Sequence, residues 1–316
     1  MEVNGFKIEP GAKLCGADLR SADLQEADLG FVKQDVGQDR YLIKSDLSNA
    51  NLSNANLSNA NLQFALLKGV NLQNANLQNA DLYAAQLDDA NLQEANLSNA
   101  NLRKTESPRA RLQGANLRGV ALSDANLQEA NFSNANLQGV HIDCNARGAS
   151  FQGANLENAR VTSYGGGMAS LQNANFQGAN LKGARVYALL DGANLSIANL
   201  QGANLHACKL KGANLKGADL RQTNLQRTNL HEAIIEGVDF EEAIVSYAEI
   251  VKIDNWSTIF RAAQVVKEAD PIAMEEMGWL REEVLNPGTR RPDSSAFLNS
   301  GGRPEDWAEY LEQFEN

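Results

Sequence analysis

Leucine recurs every five residues from Leu47 to Leu102, usually with alanine two residues before it and asparagine or aspartate between them. A period of five fits neither the 3.6-residue period of an amphipathic helix nor the two-residue alternation of an ordinary strand. Self-similarity at a fixed period is typical of architectures that stack one small unit on the next. The pattern therefore predicts a solenoid built from pentapeptides.

Each pentapeptide is predicted to form one side of a square coil. With leucine as position i, the residues at i and i−2 are apolar, and those at i−1, i+1 and i+2 are mostly polar or glycine. A short strand points i and i−2 to the same side, here toward the axis. Asparagine or glycine at i+2, as at Asn49, Gly69 and Gly114, readily takes the positive φ that a type II turn requires at its third residue.

The repeat A(N/D)LXX, which extends from about Ala12 to Ile250, resembles the pentapeptide-repeat family. The resemblance implies an all-β solenoid, a right-handed quadrilateral β-helix with four pentapeptides per coil and about 11 coils in this chain. We expect residues 1–11 to be a lead-in, 12–250 to be the β-helix and 30–44 to be an insertion, because the repeat pauses between Leu29 and Leu47.

The remaining residues, 251–316, predict a small α-helical extension. Trp256, Ile259, Phe260, Ala263 and Val266 recur at helical spacing, and 304–314 predicts a short final helix with Trp307, Tyr310 and Phe314 on one side. Such helices could cap the open strand edges at the end of the solenoid. Alternatively, the last helix could bind a partner or a second copy of the chain, which would give a homodimer.

Four irregular steps interrupt the repeat after Leu102, after Ile142, after Val161 and after Val186. We expect each of them to hide one distorted side, so that the four-sided register survives. Every fourth i−1 residue is then asparagine, which predicts a stacked ladder: Asn56, Asn76, Asn96, Asn116, Asn136, Asn155, Asn175, Asn194 and Asn214. The irregular segments 103–109, 143–148, 162–168 and 187–190 would then share one face and its adjoining edge.

That face is the predicted protein-binding surface, since loops on a rigid scaffold often carry function. The candidate contacts are apolar and aromatic anchors, two arginines and the aromatic side of the last helix. They are Tyr164, Met168, Tyr187 and Leu189, then Arg109 and Arg147, then Trp307, Tyr310 and Phe314. The alternative is drift of loops that a solenoid tolerates on one side without any function.

Charge limits the classes of partner. The net charge is −11, of which residues 252–316 carry −6 and the rest of the chain −5, so the repeat surface is nearly neutral. A basic belt between Lys182 and Leu230 wraps around the coils and presents no flat stripe to a duplex, which makes nucleic acid an unlikely partner. Its members are Lys182, Arg185, Lys209, Lys211, Lys216, Arg221 and Arg227.

No group of residues in the sequence suggests catalysis. His141, His206 and His231 occupy outward positions on different coils or sides, and Cys15, Cys144 and Cys208 lack metal-site spacing. We therefore expect no metal, cofactor or small-molecule substrate. The sequence also has no apolar run that predicts a signal peptide or a membrane span, so a cytoplasmic location is expected.

These observations favour a non-enzymatic, regulatory scaffold that binds another protein. The resemblance adds an analogy, because the family has cyanobacterial members, one of them implicated in heterocyst regulation. The alternative is mimicry of DNA toward DNA gyrase or topoisomerase, as in family members linked to quinolone resistance. That role needs a strongly acidic, elongated surface, and the near-neutral repeats argue against it.

Overall fold

Parallel bridges between residues one coil apart build the molecule. The structure, a computed structural model, describes residues 1–36, 39–162, 168–246 and 264–266. Asn56 bridges Asn76, which bridges Asn96, and each link joins residues 20 positions apart. Because a side is five residues long, four sides complete one coil. The predicted four-sided β-helix is confirmed.

The four faces are numbered here in chain order by their outward i−1 residues, and each face contains eleven of them. Face 1 runs from Lys13 to Asn229, face 2 from Asp18 to Ile234, face 3 from Asp23 to Asp239, and face 4 from Asp28 to Ile244. The chain therefore winds through eleven described coils, in agreement with the length of the repeat region.

The core is a column of leucines lined by alanines. Leu52 and Ala50 are fully buried, as the apolar pattern at i and i−2 predicts. Burial of one leucine side chain contributes about 1.5–3 kcal/mol. The leucine column therefore supplies most of the favourable free energy of folding. On face 2 the leucine is replaced in three successive coils by stacked phenylalanines, with ring centroids 5.0 Å apart for Phe132 and Phe151 and 4.8 Å apart for Phe151 and Phe176.

Turns with positive φ join the sides. Asn49 has φ 58°, and Ala50 N–H donates to Leu47 O at 3.0 Å, which is the pattern of a type II turn. The prediction for i+2 is confirmed. The i−1 asparagines stabilise the same corners twice, since Asn51 Oδ1 accepts from Ser53 N–H at 3.2 Å and from Asn71 Nδ2 at 3.1 Å in the next coil.

Ile197 occupies one i+2 position where asparagine or glycine is the norm. Its φ is 51°, a conformation that costs an ordinary L-residue about 1–2 kcal/mol, and its side chain is 62% exposed. We expect Ile197→Asn to raise the free energy of unfolding by about 1 kcal/mol, because asparagine tolerates positive φ. Urea denaturation checks this result, with Ser196→Asn as a control in the same turn, and a loss of stability in Ile197→Asn would contradict it.

The predicted register is wrong beyond Asn155. Asn180 Nδ2 donates to Asn155 Oδ1 at 3.2 Å across 25 residues, and Asn175 instead bridges Ser150. The step between Val161 and Leu171 therefore adds five residues to a coil, and the distorted side expected there does not exist. From this point the predicted nine-asparagine column is divided between face 3 and face 2.

Short strands occur near the N-terminus, in the insertion after Leu29 and in the irregular parts of two faces. β1 (Glu2–Val3) pairs with β2 (Phe6–Lys7), and β3 (Phe31–Val36) pairs with β4 (Asp39–Lys44), both antiparallel. Face 4 contains β5 (His141–Ile142), β6 (Arg160–Val161), β8 (Arg185–Val186) and β10 (Ile244–Ser246). Face 1 contains β7 (Ala169–Ser170) and β9 (Ala188–Leu189).

The helix predicted over 256–266 is wrong at its end, where β11 (Gln264–Val266) pairs in parallel with β10. Gln264 lies opposite Ile244, so this strand adds one further rung to face 4. The free backbone groups of the last coil are satisfied there by a strand. The other helical predictions, including that for Trp307, Tyr310 and Phe314, lie outside the described residues.

Candidate protein-binding surface

In the described coils, every change in coil length falls on one corner, the junction between face 4 and face 1, called here the irregular corner. Elsewhere in the described coils, two residues separate the last core residue of one side from the first core residue of the next. At the irregular corner the connection is the β3–β4 hairpin after Leu29, the single residue Asp143, residues 162–168, and the single residue Tyr187. The irregular segments therefore lie close together, as predicted, but they do so at a corner of the solenoid. The segments that make up the group differ in part from those predicted.

The segment 103–109 is a regular part of the solenoid, contrary to the expectation of a distorted side. Glu106 bridges Asn126, while Thr105 and Ser107 take the two core positions and are fully buried. Thr105 Oγ1 donates to Leu102 O at 2.9 Å. Because Thr105 and Ser107 are polar, the repeat is hard to recognise in the sequence here, although the backbone has the regular conformation of a side.

The two candidate arginines lie along the corner between face 1 and face 2. Arg109 forms an intramolecular ion pair, because its guanidinium donates to both carboxylate oxygens of Asp89 at 2.8 Å and 3.0 Å. That hydrogen-bonded pair lowers the pKa of Asp89. Arg147 is exposed and follows two coils further along the same corner. Arg147 is thus the better placed of the two for contact with a partner.

Met168, Tyr187 and Leu189 come together at the irregular corner. β7 and β9 pair Ala169 with Ala188 and Ser170 with Leu189. Met168 and Tyr187 therefore precede two paired residues in neighbouring coils, and Leu189 points outward on face 1. All three are half-buried. Tyr164, predicted as a fourth anchor, lies outside the described residues.

A second group of aromatic residues at the same corner was missed from the sequence. Phe31, Phe64 and Tyr83 follow one another in edge-to-face contact, and Lys104 Nζ lies 5.9 Å from the centroid of the Tyr83 ring. The signal was present, because Phe64 and Tyr83 stand at turn positions that elsewhere hold mostly small or polar residues. Finding it required knowing which of the four corners each turn occupies.

Two histidines flank the irregular corner and have separate environments. His141 Nε2 lies 3.1 Å from Thr162 O and 3.0 Å from Thr162 Oγ1, and so fixes the residue that begins the longer connection. His206 Nε2 is buried and has no hydrogen-bond partner among the described residues. Burial and then the charge of Arg227 lower the pKa of His206, which favours the neutral ring at pH 7.

The cysteines differ in reactivity because of burial. Burial raises the thiol pKa of Cys144 and of Cys208 to about 12, whereas Cys15 is exposed. Since the thiolate is the reactive species, we expect a disulfide reagent at pH 8 to label one thiol rapidly in the native chain and all three after denaturation. A Cys15→Ser control should lose the rapid phase, and rapid native labelling of Cys144 or Cys208 would contradict the assignment.

Two further classes of site were sought in the part of the chain that the structure describes. No three His, Cys, Asp or Glu side chains there are grouped so that they could hold a metal ion. The same residues include no helix with the length and apolar character needed to cross a membrane.

Family models match most of the solenoid. The model described as pentapeptide repeats matches in eight copies over residues 10–33, 41–74, 65–103, 169–186, 187–217 and 208–246. A second model, described as a pentapeptide repeat region, matches residues 85–161. The chain belongs to the pentapeptide-repeat family. The family membership predicted from the A(N/D)LXX repeat is thereby confirmed. A comparison with curated proteins found no match to the sequence.

Solved structures of other pentapeptide-repeat proteins are similar to the chain. HetL, from the cyanobacterium Nostoc sp. strain PCC 7120 and involved in heterocyst differentiation regulation, is 30% identical over 72% of this chain and 89% of its own, with a TM-score of 0.41. A second Nostoc PCC 7120 protein is 26% identical over 45% and 84%, with a TM-score of 0.20. A trypsin-treated form of QnrB1, a plasmid-mediated fluoroquinolone resistance protein, is 20% identical over 85% and 89%, with a TM-score of 0.29.

Proposed function

We propose that this pentapeptide-repeat protein is a non-enzymatic scaffold that binds another protein through the irregular corner and the adjoining part of face 1. The observation that carries the proposal is the confinement of all described changes in coil length to that corner. The other three corners keep a constant length throughout the described coils, so the variation has one definite location on the molecule. Variation at one edge of a rigid body is typical of a binding surface.

The contact is proposed to centre on Met168, Tyr187 and Leu189. They offer partly exposed apolar and aromatic surface on paired strands whose positions are fixed by backbone hydrogen bonds, such as Ala169 N–H to Tyr187 O at 3.1 Å. Aromatic and apolar anchors on a rigid base lose little entropy on binding. Arg147, exposed on the far edge of face 1, would supply a polar contact at the rim.

The charge pattern favours this scaffold over a mimic of DNA. A protein that imitates a duplex needs rows of negative charge at phosphate-like spacing. Face 3 instead presents asparagine in eight successive coils, from Asn56 to Asn199. A supercoiling assay discriminates the two roles, because the scaffold should leave gyrase activity and its inhibition by a fluoroquinolone unchanged.

The proposed contact is tested by affinity capture with the tagged full-length chain and quantitative mass spectrometry. The variant Tyr187→Ala/Leu189→Asn should lose at least tenfold of a specific partner, which corresponds to about 1.4 kcal/mol. The matched control is Ile197→Asn, which removes an exposed apolar side chain from the same coil at the diagonally opposite corner. Equal recovery with the corner variant and wild type, or loss only with the control, would overturn the proposal.

A further inference from the structure

A row of aromatic rings follows the irregular corner through the first coils and is called here the aromatic ridge. It consists of Phe31, Phe64 and Tyr83. The ring centroids of Phe31 and Phe64 are 4.9 Å apart and those of Phe64 and Tyr83 are 5.6 Å apart. The three rings are half-buried, so each keeps part of its surface open to a ligand. The ridge lies in different coils from Met168, Tyr187 and Leu189.

Positive charge surrounds the ridge. Lys104 is exposed beside Tyr83, and Arg103 precedes it in the same turn. Lys44 lies opposite Phe31 in the hairpin and Lys33 follows two residues after Phe31, so both share the side of the hairpin that carries the ring. None of these four cations forms an ion pair with a described residue. A protein of net charge −11 thus has four cations beside an aromatic row that form no ion pair with a described residue.

The ligand that complements such a surface is acidic and carries aromatic side chains of its own. Acidic groups would pair with the cations, and aromatic groups would add edge-to-face and cation–π contacts with the open parts of the rings. The chain contains such a segment in residues 304–316, PEDWAEYLEQFEN, which has five acidic residues, three aromatic residues and no basic residue.

The spacing of the two aromatic rows also agrees. In the helix that the sequence predicts over 304–314, Trp307, Tyr310 and Phe314 would follow one another at about 4.5 Å and about 6 Å along the axis, from a rise of 1.5 Å per residue. These intervals are close to the 4.9 Å and 5.6 Å between the ridge rings. Length is no obstacle, because the residues from 267 to 303 can span up to roughly 120 Å, whereas eleven coils extend about 50 Å at 4.8 Å each.

We propose that the aromatic ridge and its four cations bind the acidic aromatic segment 304–316 of the same chain. The segment would lie along the irregular corner beside the first coils and shield the exposed ring surface and the hairpin base. This intramolecular contact is independent of the partner proposed for Met168, Tyr187 and Leu189, because it uses other residues in other coils.

Zero-length carbodiimide cross-linking of the full-length chain, read by mass spectrometry, tests the contact because it joins a lysine amine only to a carboxylate in direct contact. We expect Lys33, Lys44 or Lys104 to link to acidic residues between Glu305 and Glu315 at least tenfold more often than Lys68 does. Lys68 is an exposed lysine at the other edge of face 1 and serves as the internal reference. Tyr83→Ala/Arg103→Ala should reduce the ridge links, whereas Lys68→Ala should not.

Three outcomes would overturn the proposal. The first is that ridge lysines link to 304–316 no more often than Lys68 does. The second is that, in a mixture of light and isotope-labelled chains, the links join light to heavy, which would place the segment on a second copy. The third is that a fluorescent single-stranded oligonucleotide binds the ridge and displaces the segment, since basic aromatic surfaces also suit that ligand. Links confined within one chain and insensitive to the oligonucleotide support the proposal.

Discussion

Replacing Phe151 by alanine is expected to lower the free energy of unfolding by about 3–5 kcal/mol. The ring is 1% exposed and lies between Phe132 and Phe176 at nearly parallel stacking angles of 3° and 5°. Alanine would leave a cavity on the axis of face 2 with a phenylalanine on either side. The backbone of the neighbouring coils is fixed by their hydrogen bonds and cannot close it. Chemical denaturation followed by far-ultraviolet circular dichroism measures the loss.

Phe151→Leu is the matched control, because leucine is the residue found at most other i positions, and it should cost clearly less than alanine. A double-mutant cycle between Phe151 and Phe176 should give a coupling of about 0.5–1.5 kcal/mol. In the register that places Leu171 above Phe151, the two rings would not touch. A coupling energy of zero would therefore contradict the observed register, in which Phe176 stacks on Phe151, however large the effect of Phe151→Ala alone.

Two deletions of equal length should differ greatly in their effect on the free energy of unfolding. Removing residues 163–167 leaves Thr162 and Met168 between Val161 and Ala169, which is the length of a regular corner. With Met168→Gly included to permit positive φ, we expect stability within about 1 kcal/mol of wild type, because a shorter loop costs less entropy to close. Removing residues 172–176 deletes a whole side with the buried Ala174 and Phe176 and should cost more than about 3 kcal/mol.

Urea denaturation of the two deletion variants beside wild type makes the comparison. If residues 163–167 formed a side of the square, their removal would shift every later coil by one face and change all the stacked contacts between the coils on either side of the deletion. Deletion of 163–167 would then be as damaging as deletion of 172–176. Equal losses in the two variants would contradict the assignment of the five residues to an insertion.

The unit of the fold could be predicted from the sequence because its determinants are local. Alternation at i−2 and i places alanine and leucine in the core, and the turn needs only a residue that accepts positive φ. Both rules act within five residues. They held even at Lys104, φ 58°, and Arg109, φ 57°, where the sequence is least regular. The number of four such units in each coil was implied by the resemblance to the pentapeptide-repeat family.

The register beyond Asn155 could not be predicted from asparagine, because that residue is common at i−1 on every face and does not distinguish them. Core residues that are rare in the repeat are more informative. Phe132, Phe151 and Phe176 occur at i in three successive coils of one face. Aligning those three rings would have shown that the step after Val161 adds five residues to a coil.

At Thr105 and Ser107 unusual core residues led to a wrong prediction. Their polarity suggested a distorted side, yet a small hydroxyl residue can replace alanine or leucine when the neighbouring backbone accepts its hydrogen bond, as Leu102 O does for Thr105. Ser107 Oγ has no such partner. The site residues were harder to predict for a related reason, since Met168 and Tyr187 come together only through the strand pairing that the insertion permits.

The central claim is that the irregular corner is where this pentapeptide-repeat protein contacts its partner. Its most direct test is photo-cross-linking in cells with benzoylphenylalanine in place of Tyr187, compared with the same probe in place of Ser196, a half-buried turn residue at the diagonally opposite corner of the same coil. The account predicts cross-links from position 187 to one defined region of one protein, abolished by Leu189→Asn, and none to that protein from position 196. Cross-links of equal yield from both positions, or from position 196 alone, would contradict it.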